Sequence, residues 1–465
     1  MKLLENKQRL LPFILIFLVI LTGCDSKYNS DMNNNDALIN DNVMEKIRVW
    51  SDNAHEKELR LRQIEAFNST KGRELGIEIE YTVYGSNYQD VIKTAAQSGD
   101  APELFRPTLT LMKDFVDSDF LIPITDLPGG EEMVSEYKDD LVINQHIFDG
   151  EVYTLPYNLT TYKLIVNNEL FNKAGVLEYP KTWNELRETA RQITEDNDGR
   201  AFGWILGLQS EWMISTYLIR TNGANVGHVG FNHENMKFEF EEFAPVVDAV
   251  QGMISDGSVF PGYEGLDADA ARAQFAEGRI AMIPAASFDI NVYNDQFTAN
   301  FDWSVIPVPA FDDGGSNYKE FADVTSLLGV GTAAKDKKEK TMEVFKFFYS
   351  DENAAQMYEN SLYIPYSQDA IDMATSKPRK KGFEEFAQTS NTVLLLPMPD
   401  MLLSLEGNTY RKTISYIFAD VYEGQDTKTV LRNLDKQYNT ALEKLPADVL
   451  KEYEHPQEIM DNFKK

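Results

Sequence analysis

The sequence predicts an α/β fold with mainly parallel sheets, and three observations predict it. Strand patterns alternate with helix patterns from Ile47 onward. A proline interrupts a strand pattern at Leu155-Pro156-Tyr157, and proline cannot donate to a sheet ladder, so the chain there runs along an edge or passes between sheets. Between Asp149 and Trp183 a strand, that passage, a second strand and a helix start follow in close succession. Thr182, Trp183, Asn184 and Glu185 form an S/T-x-x-E capping box, which starts a helix at Trp183 or Asn184 and carries it through Leu186, Ala190 and Ile193.

Ile47 and Val49 begin the first strand, which ends at Trp50-Ser51-Asp52-Asn53, and Leu61, Ile64 and Phe67 supply the stripe of the next helix. From Gly76 to Val83 apolar and polar residues alternate, the pattern of a half-buried strand. A helix through Tyr88, Ile92 and Ala96 ends at Gly99, a short strand follows at Leu104-Phe105, and Leu111, Met112 and Phe115 mark another helix. Later, Ala201 to Leu208 reads as a strand, Trp212 to Ile219 as a helix, and Ile280 to Ile283 as a strand after a helix stopped by Gly278. Phe301 to Val308 and Phe321 to Val330 have strand character, Lys340 to Ser350 is helical, and Asp426 caps an amphipathic helix reaching Leu445.

At 465 residues the chain exceeds one ordinary core, and two lobes are expected. Hydrophobic content of 43% and aromatic content of 12% supply enough apolar surface to offset ordering entropy. The formal net charge of −30 argues against nucleic acid, whose phosphates are held by clustered Lys and Arg. Lys2, Lys7 and Arg9 precede an apolar run from Leu10 to Leu21, short for a membrane span and suited to a signal peptide over residues 1–23. Leu21-Thr22-Gly23-Cys24 resembles a bacterial lipobox, which implies an acylated Cys24 as lipid anchor. Cys24 is the one cysteine, so no internal disulfide can form. Residues 24–45, rich in Asn, Asp and Ser, read as a flexible tether.

Several segments together resemble the extracellular solute-binding proteins of family 1, lipid-anchored receptors of bacterial ABC sugar importers. They are Asp149-Gly150 with Tyr153 and Leu155-Pro156-Tyr157, then Val166-Asn167-Asn168-Glu169-Leu170-Phe171 with Ala174-Gly175, and Pro180-Lys181-Thr182-Trp183-Asn184-Glu185-Leu186. Phe275-Ala276-Glu277-Gly278-Arg279-Ile280-Ala281-Met282 continues the likeness. The resemblance implies a two-lobed periplasmic-binding-protein-like fold of type II, with strands crossing at a hinge and a cleft that closes on ligand. It implies one lobe of residues 46–160 plus 325–365 and a second of 161–324 plus 366–465, with Tyr157, Asn158 and Thr160 where lobe and cleft meet. Where many family members carry a sugar-stacking Trp, this chain has Phe288.

Sugars present apolar C–H faces and hydroxyl edges, so their receptors need aromatic platforms and a few converging polar groups. Loops at the C-terminal ends of strands are where open α/β sheets place such groups. Trp50, Asp52 and Asn53 follow the first strand, Arg106 follows Leu104-Phe105, Trp212 opens a helix, and Phe288-Asp289 follows Ile283-Pro284. Each has a plainer role open to it: Trp50 and Trp212 in a core, Asp52 and Asn53 as N-caps, Arg106 in a surface ion pair. His228 and His233 have the wrong spacing for one helical face, and no metal or cofactor is expected. The expectation is a monomeric, exported, membrane-tethered receptor that delivers an oligosaccharide to ABC permease subunits. The rival is a secreted glycosidase using two of the many carboxylates, and a third reading keeps the fold with a non-sugar solute.

Overall fold

The computed structural model of the chain describes residues 44–465 apart from 86 and 139. The expected signal peptide, Cys24 and all but the last two residues of the expected tether lie outside the described residues. The first strand spans Glu45–Ser51 and pairs in parallel with Ile77–Val83 and Leu104–Phe105; Gly329–Val330 adds an antiparallel edge. Between the first two strands runs the helix Lys57–Ser69, which buries Leu59, Gln63, Ile64 and Phe67. Leu61, expected in that stripe, is exposed, because at 100° per residue it points away from the face those four residues set. Gly99 follows the helix Tyr88–Ser98 with φ +76°, the left-handed cap that glycine adopts without strain.

A second sheet has the order Trp303–Ile306, Tyr162–Asn167, Ile280–Ala286, Phe202–Trp204. Its last two strands are parallel, while Tyr162–Asn167 runs antiparallel to both neighbours. That strand enters straight from the crossing through Thr161, with no helical crossover to reverse its direction. All six of its residues are buried. The capping box forms as expected: Thr182 Oγ1 accepts from Glu185 N–H, and Glu185 accepts from Thr182 N–H, a cap that contributes about 1 kcal/mol. The capped helix Trp183–Asp196 lies so close to the sheet that a Cβ on Gly203 would sit 2.3 Å from Ala190. Trp183 is buried, packs edge-on against Trp204, and donates its indole N–H to Asn222 Oδ1 at 2.6 Å.

A third sheet joins the halves, in the order Ile364–Pro365, Pro156–Thr160, Glu320–Ser326, Thr392–Leu394. Pro156 is the first residue of its strand, a place where its missing N–H is harmless. The apolar core divides on either side of this sheet. On one side the core takes residues from Ile47 to Tyr157 and again from Leu327 to Tyr363, with a smaller separate cluster from Tyr88 to Phe148; on the other it runs from Tyr162 to Phe321 and from Ile364 to Phe463. The molecule is thus a two-lobed α/β protein whose chain passes between lobes through paired strands. Among the described residues no helix is long and apolar enough to cross a membrane.

Buried polar groups anchor one crossing strand and the C-terminal segment. Tyr157 packs its ring between Tyr349 and Tyr363, and its hydroxyl accepts from Arg60 Nη2 at 3.0 Å and meets the Tyr363 hydroxyl. Arg60 is fully buried, also held by Glu56 and Gln63 and lying over the Phe348 ring. In the second lobe His233 bonds the Tyr453 carbonyl through Nδ1 at 3.1 Å, fixing the C-terminal segment. Burial pushes the His233 pKa down to about 4.

Two outcomes are expected. Tyr157→Phe removes a partner from a buried guanidinium and should destabilise the fold by about 1–3 kcal/mol in urea unfolding; an unchanged midpoint would refute the anchoring role. For His233 the folded pKa lies below the unfolded value of 6.5, so its contribution is complete above pH 6.5 and declines as pH falls toward about 4. The decline is about 1.4 kcal/mol per pH unit. His233→Asn, which keeps a donor for Tyr453, should flatten the stability profile across that window; a profile parallel to the parent's would refute this.

Candidate ligand-binding site

The strands Glu45–Ser51 and Leu104–Phe105 are parallel, so both release their C-terminal residues at one edge of the first lobe. There Arg106 Nη1 donates to Asp52 Oδ1 at 2.8 Å, and the Arg106 N–H donates to the Trp50 carbonyl at 2.8 Å. Tyr88 completes the corner by donating its hydroxyl to the Arg106 carbonyl at 2.8 Å. The Trp50 indole is half-buried against Tyr84, with centroids 4.9 Å apart. Asn53 donates Nδ2 to Glu56 Oε1 at 3.2 Å and caps no helix with its side chain. Trp50, Asp52 and Arg106 are thus brought together, with Asn53 beside them.

The second cluster is built at the end of the strand Ile280–Ala286. Phe288 and Trp212 are 40% and 37% exposed, high for large aromatics, and their centroids lie 6.4 Å apart. Beneath them lies Arg272 on the helix Ala268–Ala276, with its guanidinium 5.2 Å from the Trp212 centroid and 5.9 Å from that of Phe288. Asp289 is fully buried, 2.7 Å from Arg272 Nη2, and accepts from the Tyr217 hydroxyl at 2.5 Å and the Ala286 N–H at 2.8 Å. Arg272 also donates to Tyr217 at 3.0 Å and to Asp269 at 3.0 Å. Burial raises the Tyr217 pKa well above the ordinary tyrosine value, so its hydroxyl keeps its proton and stays a donor. Burial works to lower the Arg272 pKa, but Asp289, Tyr217 and Tyr293 together outweigh it and raise the pKa, so the guanidinium stays charged. Two exposed rings therefore rest on a buried arginine held by Asp289, Asp269 and Tyr217.

The crossing strands carry the third group. Strand alternation places Asn158 and Thr160 on one face and Tyr157 on the other. Asn158 and Thr160 are half-buried, and Thr325 donates to Asn158 Oδ1 at 2.5 Å. Opposite Thr160 in the ladder, Asp323 accepts from both Arg220 and Tyr162.

Two residues expected at the ligand are buried in this geometry. Tyr157, 5% exposed, is a core side chain, because its position in the strand turns it toward Arg60. Asp289, 0% exposed, supports the platform from below, because the turn after Ala286 points its carboxylate back to that residue's N–H. Sequence reasoning missed Arg272, Arg220, Asp323 and Tyr162. For Asp323 a signal was present, since an acidic residue amid Phe321, Ala322 and Val324 in a strand needs a buried partner; for Arg272 there was none.

Elsewhere, His228, Glu239 and Glu242 offer atoms within 4.8 Å of one another. His228 Nδ1 accepts from the Gly230 N–H at 3.1 Å, so Nε2 carries the proton toward Glu242 at 2.9 Å and has no lone pair for a metal. A hollow of about 480 Å³ on the first lobe, bounded by Leu61, Glu65, Arg73 and Tyr81, shares no residue with the clusters above.

Residues 59–355 match the family described as bacterial extracellular solute-binding protein. A binding protein of Brucella abortus (strain 2308) is 23% identical over 256 residues, covering 52% of this chain and 58% of its own length, so the chain spans less than two thirds of that relative. The sn-glycerol-3-phosphate-binding periplasmic protein UgpB of Brucella melitensis biotype 1 is 24% identical over 330 residues, 66% of this chain and 71% of that one. Among solved structures, the GacH receptor of Streptomyces glaucescens GLA.O, determined unliganded and with acarbose, is similar at a TM-score of 0.63 and 20% identity, over 86% of this chain and 99% of that one. That likeness establishes the shared two-lobed fold. With the family match running from the first helix to beyond the second crossing, well over half of the chain, the protein belongs to the bacterial extracellular solute-binding proteins.

Proposed function

We propose that the protein is the receptor of an ABC importer, capturing a carbohydrate of oligosaccharide size between its lobes and presenting it to permease subunits. The observation that carries this reading is the pair of half-exposed rings, Trp212 and Phe288, held on buried Arg272. Flat, rigid aromatic faces suit the C–H faces of sugar rings. Trp50, Asp52, Asn53 and Arg106 on the first lobe, with Asn158, Thr160, Arg220 and Asp323 at the crossing, supply edges for hydroxyl groups. The similarity to GacH, solved with acarbose, supports a saccharide-like ligand.

The lobes in this reading are residues 46–160 plus 325–365 and residues 161–324 plus 366–465. Its support is the break between the two cores, which falls between Tyr157 and Tyr162 and between Phe321 and Leu327. Closure about those strands is the event the permease detects. The protein binds without catalysing a reaction and works as a monomer. Signal cleavage leaves Cys24 as a lipidated N-terminus, where two acyl chains give stable anchoring, and residues 24–45 hold the domain off the outer face of the cytoplasmic membrane.

Calorimetry across a broad glycan panel should reveal one-to-one binding without turnover, and X-ray scattering a smaller radius of gyration with the bound glycan. Trp212→Ala and Phe288→Ala should each weaken binding by about 2 kcal/mol, about thirtyfold in Kd. Neither heat nor compaction with any glycan would refute the reading, and release of reducing ends would refute its non-catalytic part. Cys24→Ala should move the protein from the membrane to the soluble fraction; retention at the membrane would remove the lipid anchor.

A further inference from the structure

We propose that the ligand of this site is electrically neutral, a polyhydroxylated molecule carrying neither phosphate nor carboxylate; the inference rests on the receptor reading above. The arginine in each of the three candidate clusters is already committed to a carboxylate inside the protein. On the first lobe Arg106 is 2.8 Å from Asp52. At the crossing Arg220 is paired with Asp323, which the Tyr162 hydroxyl also engages. Under the platform Arg272 is 2.7 Å from Asp289 and 3.0 Å from Asp269. Three arginines therefore meet four carboxylates, in a chain whose net charge is −30.

A phosphate or carboxylate ligand is recognised by a guanidinium that can turn its paired N–H donors toward it. Here such a ligand would have to displace the resident carboxylate, leaving it partly buried and unpaired, or settle beside it at like charge. A hydroxyl meets neither obstacle. It donates to the carboxylate and accepts from the guanidinium, so it joins an existing pair without separating the charges. Both partners can be reached: side-chain exposure is 25% for Arg106 and 30% for Asp52, and 31% for Arg220 and 20% for Asp323. Beside Arg272 the exposed surface consists of the two rings and the paired carboxylate of Asp269, which adds apolar contact and no free cation. The acidic partners thus act as specificity determinants against anions as well as hydrogen-bond acceptors for sugar hydroxyls.

The test titrates the full chain with neutral malto-, xylo- and chito-oligosaccharides, and in parallel with inorganic phosphate, sn-glycerol 3-phosphate and oligogalacturonate. The expected result is binding of a neutral member, with every anionic probe at least about tenfold weaker. Asp52→Asn and Asp323→Asn, each shown to be folded by its melting curve, should gain affinity for the anionic probes, with a dependence on salt that the parent lacks. An anionic probe that binds the parent as tightly as any neutral glycan and closes the lobes would overturn this inference and leave the receptor reading in place. Failure of all probes to bind would overturn both.

Discussion

One residue, Thr161, separates the crossing strand Pro156–Thr160 from the second-lobe strand Tyr162–Asn167, and much of the molecule depends on where that residue is held. Its carbonyl accepts from the Ser287 N–H at 2.9 Å, and its hydroxyl donates to the Phe386 carbonyl at 2.7 Å. Ser287 is the residue directly before Phe288. The point where the chain changes lobe and the point where the aromatic platform begins are thus joined by one backbone hydrogen bond. The crossing strand and the platform are therefore linked directly, with no segment between Thr161 and the residue that precedes Phe288 to absorb a displacement.

On either side of that joint, order is kept by buried charge. Arg60 is held by Glu56, Gln63 and Tyr157 in the first lobe; Arg272 by Asp289, Asp269 and Tyr217 in the second. Buried ion pairs add little net stability over apolar packing of the same volume, because desolvation offsets most of their attraction. Their effect here is geometric. A guanidinium fixed by several directional partners holds its plane and gives the rings that lie over it a fixed base. Preorganised rings cost a ligand less ordering on binding than free ones would.

Much of the fold was legible along the chain because local rules and tertiary packing agree. The strand alternation from Gly76 to Val83, the capping box at Thr182, the stop at Gly99 and the cap at Asp426 all appear where the pattern places them. Disagreement arises where tertiary neighbours decide. Leu61 fits an apolar stripe by type yet faces water, since the buried face of its helix is set by the sheet beneath Leu59 and Ile64. The helix from Ile214 to Ile219 is wound as a π-helix, a form that no composition announces.

The candidate site divides the same way. By itself the sequence determined the loops: strand ends, the break at Pro156 and the turn after the Ile280 strand follow from periodicity and proline chemistry, which act between near neighbours. It also placed Phe288 after that strand and Trp212 at the start of a helix. What only the tertiary structure decided is which side chains turn outward and which support them. Tyr157 and Asp289 turn inward, and Arg272 arrives from a helix sixteen residues before Phe288 to lie beneath the rings. Arg220 reaches Asp323 across about a hundred residues of chain. Those pairings follow from burial, which makes an unpartnered charge costly and lets distant segments satisfy it, and burial is a property of the folded whole.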